Sequence, residues 1–142
     1  MKNEGRRVLR IVARALTGST YAVLGADAFR SPGGRVGIAA PLLDQIRKMA
    51  PLPKDDEVLV KVNAACQTVA GAALTVGLFP RLASATLFAS MVPTTLAGHA
   101  YWTHEDPATR KAQRTQFHKN LAMLGGLLIV VLEASPAQDL RE

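Results

Sequence analysis
Apolar residues in this chain are gathered into long uncharged segments, with the charges set between them. From residue 62 to residue 102 the only charged side chain is Arg81. It lies in the turn Gly77-Leu78-Phe79-Pro80-Arg81, between VNAACQTVAGAALTVGLF (62–79) and LASATLFASMVPTTLAGHAYW (82–102). At 1.5 Å per residue, each segment reaches across a hydrocarbon layer of about 30 Å. The pattern predicts two membrane-crossing helices joined by a tight Pro-Arg corner. IVARALTGSTYAVLGADAF precedes this pair and carries Arg14 and Asp27; FHKNLAMLGGLLIVVLE follows it, with Lys119 and Glu133 at its edges. Four crossing helices are therefore expected, near 8–29, 59–79, 82–102 and 117–133, with both termini on one side. The expected fold class is all-α: an integral membrane four-helix bundle, antiparallel and up-down, forming a single domain over residues 1–142.

The connections carry their own signals. Ser31-Pro32-Gly33-Gly34 ends the first helix, because proline cannot continue it and paired glycines favour a turn. In AAPLLDQIRKMA, Leu42, Leu43, Ile46 and Met49 share one helical face, opposite Asp44, Gln45, Arg47 and Lys48. That is a short amphipathic helix expected at the interface, between the first two spans. Pro51, Pro53 and the acidic run Asp55-Asp56-Glu57 lead into helix two. Pro93 is expected to kink helix three, with Ser90, Thr94 and Thr95 placed to bond the carbonyl it frees. Tyr101-Trp102 ends that helix, where amphipathic rings prefer the headgroup level. A polar loop is expected over 103–115. Small residues form stripes on helix one (Gly18, Ala22, Gly25), helix two (Ala70, Gly71, Gly77) and helix four (Gly125, Gly126). Lipid gives no hydrophobic drive for helix association, so these stripes predict close backbone packing.

Composition sharpens the picture in three places. The mean hydropathy of +0.13 hides the segregation of charge. A net charge of +6 could suggest nucleic acid. The basic residues, however, are mixed with acids and flank the apolar spans, and no zinc spacing, basic helix or aromatic RNA-binding strand is read from the sequence. Membrane lipids with anionic headgroups are the expected partner, and nucleic acid is not. Cys66 is the only cysteine, so no intramolecular disulfide forms; its apolar setting predicts a small buried hydrophobe. Ala26-Asp27-Ala28 resembles a signal-peptide cleavage site, but Arg14 interrupts the apolar region such a peptide needs. A retained first helix is expected.

Three stretches together resemble the DoxX family of small four-helix bacterial membrane proteins. They are Arg14 with Gly18 in helix one, VAGAALTVGLFPRLASATL around the second hairpin, and the closing FHKNLAMLGGLLIV. The resemblance runs from Val8 to about Val131. It implies a multi-pass protein of the bacterial plasma membrane that is redox-linked and quinone-associated, working with other membrane or redox subunits. Many relatives carry a Glu four residues before the glycine matched by Gly71; here that position is Gln67, which removes a titratable carboxylate.

Sorting polar residues by depth brings a cluster to the side opposite the termini. Asp27, Lys61, Asn63, Gln67, His99, His118 and Asn120 all fall in that half. Polar groups within a bilayer are costly unless paired or wet, so the cluster is the candidate site. Asn63, Gln67, His99, Tyr101 and Asn120 are the expected ligand contacts. Asp27, Lys61 and His118 support them, with an Asp27–Lys61 pair expected. His99 and His118 lie at one end of neighbouring helices, as haem ligation requires, but both sit too near the surface for a haem slot. No metal site and no catalytic residue are predicted. The leading expectation is a redox-linked membrane subunit with a quinone at this cluster. The alternative is a non-catalytic anchor or accessory subunit stabilising a larger membrane complex. A transporter ranks last, because the opposite half lacks a polar path. The dense basic N-terminus favours cytoplasmic termini.

Overall fold
The computed structural model describes residues 2–134, with side chains from Glu4 onward. Its order is α1 (Lys2–Arg30), α2 (Arg35–Arg47), α3 (Asp56–Val76), α4 (Pro80–Gly98), a short 3₁₀ turn (Tyr101–Thr103) and α5 (Pro107–Glu133). Among the described residues the fold is entirely helical.

Helix boundaries follow from local chemistry. The Asp55 carboxylate accepts the Val58 amide at 3.2 Å and starts α3, with Asp56 and Glu57 against the positive end of the helix dipole. Gly77 ends α3 in the left-handed region at φ 81°, and the Leu78 amide returns to the Ala73 carbonyl at 2.8 Å. Pro80 then opens α4 at its first position. The expected corner is therefore present. Its second turning residue is Phe79, a non-glycine at φ 46°.

α4 stops at Gly98, short of the expected 102, and Tyr101 and Trp102 fall in the 3₁₀ turn after its His99 cap, whereas two helices run beyond their expected limits. α1 begins at Lys2, ahead of the expected Val8, although Gly5 and the basic first turns disfavour helix; Glu4 is the one acidic residue there. α5 begins at Pro107, within what was expected as polar loop. The Asp106 carboxylate caps it, taking the Thr109 amide at 2.7 Å and its hydroxyl at 2.6 Å. The Ala, Arg, Lys and Gln residues that follow are good helix formers. A basic helix segment therefore exists where none was read from the sequence.

α1 packs along α3, α3 on α4 and α4 on α5, while α2 rests against α3 and α4. A shared core joins all four long helices: Tyr21 from α1, Ala70 and Leu74 from α3, Ala83, Leu87 and Met91 from α4, and Leu127 from α5. The α1–α3 seam is backbone contact. A Cβ built on Gly71 would lie 2.5 Å from the Ala22 nitrogen, and one on Gly18 would lie 2.5 Å from the Gly71 carbonyl. Gly25 is as tightly enclosed, by Ala64 and Thr68. The small-residue stripes of α1 and α3 thus work as expected, apart from Gly77, which is a helix cap. Gly125 and Gly126 do not pack: nothing lies within 4 Å of a Cβ on either, because α5 turns Leu127 and its neighbours inward instead.

α3 and α5 are long and apolar enough to cross a membrane. Only 28% and 6% of their apolar windows are buried, so neither is the enclosed core helix of a soluble protein. Leu16, Val23, Val69, Val76 and Leu132 lie exposed on the outer faces, as lipid-facing side chains do. α1 and α4 fall short of the same measure. α1 carries Arg6, Arg7, Arg10 and Arg14, and α4 is diluted by Ser, Thr and Pro.

Candidate functional site
Pro93 sits inside α4, and the residues around it organise the polar layer. The Thr94 hydroxyl donates to the Ser90 carbonyl at 2.9 Å, the same bond one turn back that Thr68 and Thr75 make on α3, and not to Ala89, whose carbonyl Pro93 frees. The Thr94 oxygen accepts the Asn63 amide at 3.0 Å and the Gln67 amide at 3.2 Å. The Ser90 hydroxyl donates to Asn63 Oδ1 at 2.7 Å. Asn63 and Gln67 are one turn apart on α3, so both reach the same hydroxyl. One hydroxyl has one donor and two acceptor positions, and Thr94 uses all three.

The next residue, Thr95, is rotated about 100° around α4 and faces α5. Its hydroxyl accepts the Asn120 amide at 3.1 Å. One turn later, His99 Nδ1 pairs with Gln113 Oε1 at 2.7 Å. Against that carbonyl oxygen Nδ1 is the donor, which leaves Nε2 without a partner among the described residues. Tyr101 belongs to an aromatic trio. Its ring centroid is 5.2 Å from Trp102 and 5.6 Å from Phe117, and Trp102 and Phe117 are 5.7 Å apart, all edge to face.

Asn63 and Gln67 thus meet at Thr94 between α3 and α4, while Asn120 with Thr95 and His99 with Gln113 join α4 to α5; among the described residues no hydrogen bond links the two groups, which together make up the polar layer. The three supporting residues stand apart from it. Asp27 pairs with Arg35 at 2.9 Å and Lys61 with Glu57 at 2.7 Å, so the expected Asp27–Lys61 bridge is replaced by two local ones. Both acids find a cation on or beside their own helix before the facing helix comes within reach. His118 is exposed and donates from Nδ1 to the Arg114 carbonyl at 2.8 Å on its own helix. Cys66 is exposed rather than buried, because it lies on the outer face of α3 with Val62 and Val69.

Several residues of the layer were not singled out as site residues. Ser90, Thr94 and Thr95 were legible only as proline neighbours, and Gln113 fell in the expected loop. The spacing Gln113, Phe117, Asn120 is the signal that places them on one helical face. Nearer the termini, Tyr21 Oη, Ser84 Oγ and Arg14 Nε are buried with no hydrogen-bond partner among the described residues. The Arg14 guanidinium packs over Gly77 at the end of α3, where the helix dipole is negative.

Two charged groups outside the helical core are shifted. Arg47 is held above its ordinary pKa, chiefly by its hydrogen bond to Asp56 and also by Asp44; it fastens the end of α2 to the start of α3. The Asp106 carboxyl is held below its ordinary value by the hydroxyl and amide of Thr109. Among the described residues, no three His, Cys, Asp or Glu side chains come together as a metal site.

Long helices sharing one thin core, apolar outer faces and an internal polar layer define a helical membrane protein. The DoxX family model matches residues 9–100, from α1 to just past the end of α4, and the chain belongs to the DoxX family. The match stops short of α5, so the closing FHKNLAMLGGLLIV lies outside it. No curated protein and no solved structure matches the chain.

Proposed function
We propose that this chain is a redox-linked subunit of the bacterial plasma membrane that holds the ring of a quinone-type lipid at the α3–α4–α5 polar layer. α1, α3, α4 and α5 each cross the membrane in an antiparallel bundle, and α2 lies at the interface. One observation supports the binding role above the others. The Asn63, Gln67 and Asn120 amides and the Ser90 hydroxyl donate across helices, while Gln67 Oε1 and His99 Nε2 make no hydrogen bond among the described residues. Two such atoms suit the two hydroxyls of a reduced quinone ring, and the aromatic trio that begins two residues after His99 would flank its entry. An apolar tail would lie along the outer helix faces.

The test is the quinone retained per mole of protein after purification in mild detergent. Gln67→Leu and His99→Phe should each lower it, because a buried hydroxyl left without its partner costs about 1–3 kcal/mol. Lys54→Gln, in the exposed link before α3, should leave it unchanged. Equal retention in all forms, or none in the parent, refutes the binding role. The second reading, an accessory subunit without a ligand, is favoured by the mutual pairing of Asn63, Ser90 and Thr94. Such pairing stitches helices together whether or not a ligand is bound.

A further inference from the structure
The first half of α5 carries Arg110, Lys111, Arg114, His118 and Lys119, all exposed, and α5 has no acidic residue before Glu133. A hollow of about 650 Å³ on this face is lined by Arg114, Thr115, His118, Lys119 and Ala122. Toward the hydrocarbon side, Gly125 and Gly126 leave the helix surface bare, with no atom within 4 Å of where a Cβ would stand. Phe117 lies at the level of the hollow along α5 and packs against Tyr101 and Trp102. An aromatic cluster of this kind marks the headgroup level. Arg110, Lys111 and Arg114 therefore stand above that level, His118 and Lys119 within about 3 Å of it, and a smooth trough lies below.

We infer that this face of α5 docks an anionic phospholipid, its phosphate against Arg114 and Lys119 and one acyl chain along Ala122, Gly125 and Gly126. Charge complementarity selects this occupant. A small-residue trough also suits a second helix, but a two-fold copy using the same face would bring Arg114 and Lys119 toward their own equivalents. A phosphate placed there meets opposite charge within a Debye length of about 8–10 Å. The site is separate from the polar layer and survives if that layer binds nothing.

The full chain in mild detergent is exchanged into mixed phosphatidylglycerol and phosphatidylcholine, and native mass spectrometry counts the lipids retained. The parent should favour phosphatidylglycerol. Arg114→Gln with Lys119→Gln should reduce that preference by about tenfold, given the attraction of each interfacial cation for anionic lipid. Lys48→Gln with Lys54→Gln removes the same charge from exposed positions elsewhere and should keep the preference. Ala122→Phe fills the trough without changing charge and should also lower retention. All these positions are exposed, so an unchanged melting profile without lipid separates binding from folding. Preference unchanged in the Arg114/Lys119 pair, equal loss in the Lys48/Lys54 pair, or full retention in Ala122→Phe overturns the inference. So does stabilisation of the parent by inorganic phosphate equal to that by phosphatidylglycerol, or a parent dimer abolished by Ala122→Phe.

Discussion
Replacing Gly71 with alanine adds one methyl group where α1 and α3 cross in backbone contact. The new carbon would stand 2.5 Å from the Ala22 nitrogen, 2.7 Å from the Gly18 carbonyl oxygen and 3.0 Å from the Tyr21 carbonyl carbon. Ordinary contact begins near 3.4 Å, so the helices must part by up to about 0.9 Å. All three atoms belong to backbone, and no side-chain rotation can make room. A gap of 0.5–1 Å forfeits roughly a quarter to a half of each dispersion contact along the seam. Overpacking of this kind costs about 1–3 kcal/mol. Alanine's better helix propensity returns at most about 1 kcal/mol. With backbone on every side the cost falls in the upper part of that range, so the net change is destabilising by about 1–2 kcal/mol, and Gly71→Leu should lose more. In detergent, the midpoint for loss of the monodisperse species on heating should fall by roughly 4–8 °C for Gly71→Ala. Gly125→Leu is the contrast: a much larger side chain entering open space, expected to leave the midpoint near the parent's. A parental midpoint in Gly71→Ala, or an equal loss in Gly125→Leu, would refute the assignment of the α1–α3 seam.

Thr94→Val keeps shape but leaves the Asn63 and Gln67 amides without their shared acceptor. A loss of about 1–3 kcal/mol is expected in the same melting assay, and adding Gln67→Leu should cost less than the sum of the two changes. Parental stability in Thr94→Val would mean the layer contributes nothing to packing. The Asp106 cap predicts a pH effect. Its folded pKa is lowered, so its contribution is full above the ordinary carboxylate range and disappears as pH falls through the folded value. Hydrogen exchange at the Thr109 amide should accelerate relative to the α5 interior on acidification, and Asp106→Ala should remove that dependence; an unaltered dependence would show that another group is responsible. For topology, Ser31→Cys, Arg81→Cys and Thr109→Cys in a Cys66→Ala background should give labelling of 31 and 109 from one side and 81 from the other. Labelling of all three from one side rules out the up-down arrangement.

The helical hairpin at its centre was legible in the chain alone, because an uncharged run broken only by Gly-Leu-Phe-Pro-Arg admits few alternatives to two helices and a corner. The tight approach of Gly18 and Gly71 was legible for a similar reason: only small residues permit backbones to touch. The match over residues 9–100 agrees with the family its motifs resemble. Contact choice was not legible. Gly125 and Gly126 look on paper like Gly18 and Gly25, yet α5 is rotated to bury Leu127, and its glycines face outward. Asp27 and Lys61 share a depth, but each found a nearer partner along its own chain, where less entropy is lost in pairing. Cys66 sits within an apolar run on the face that no helix covers. Periodicity says that a helix has faces and which of them is polar. Which face meets which neighbour depends on helix rotation and on backbone separations of a few tenths of an ångström, and those are settled only when all the helices pack at once.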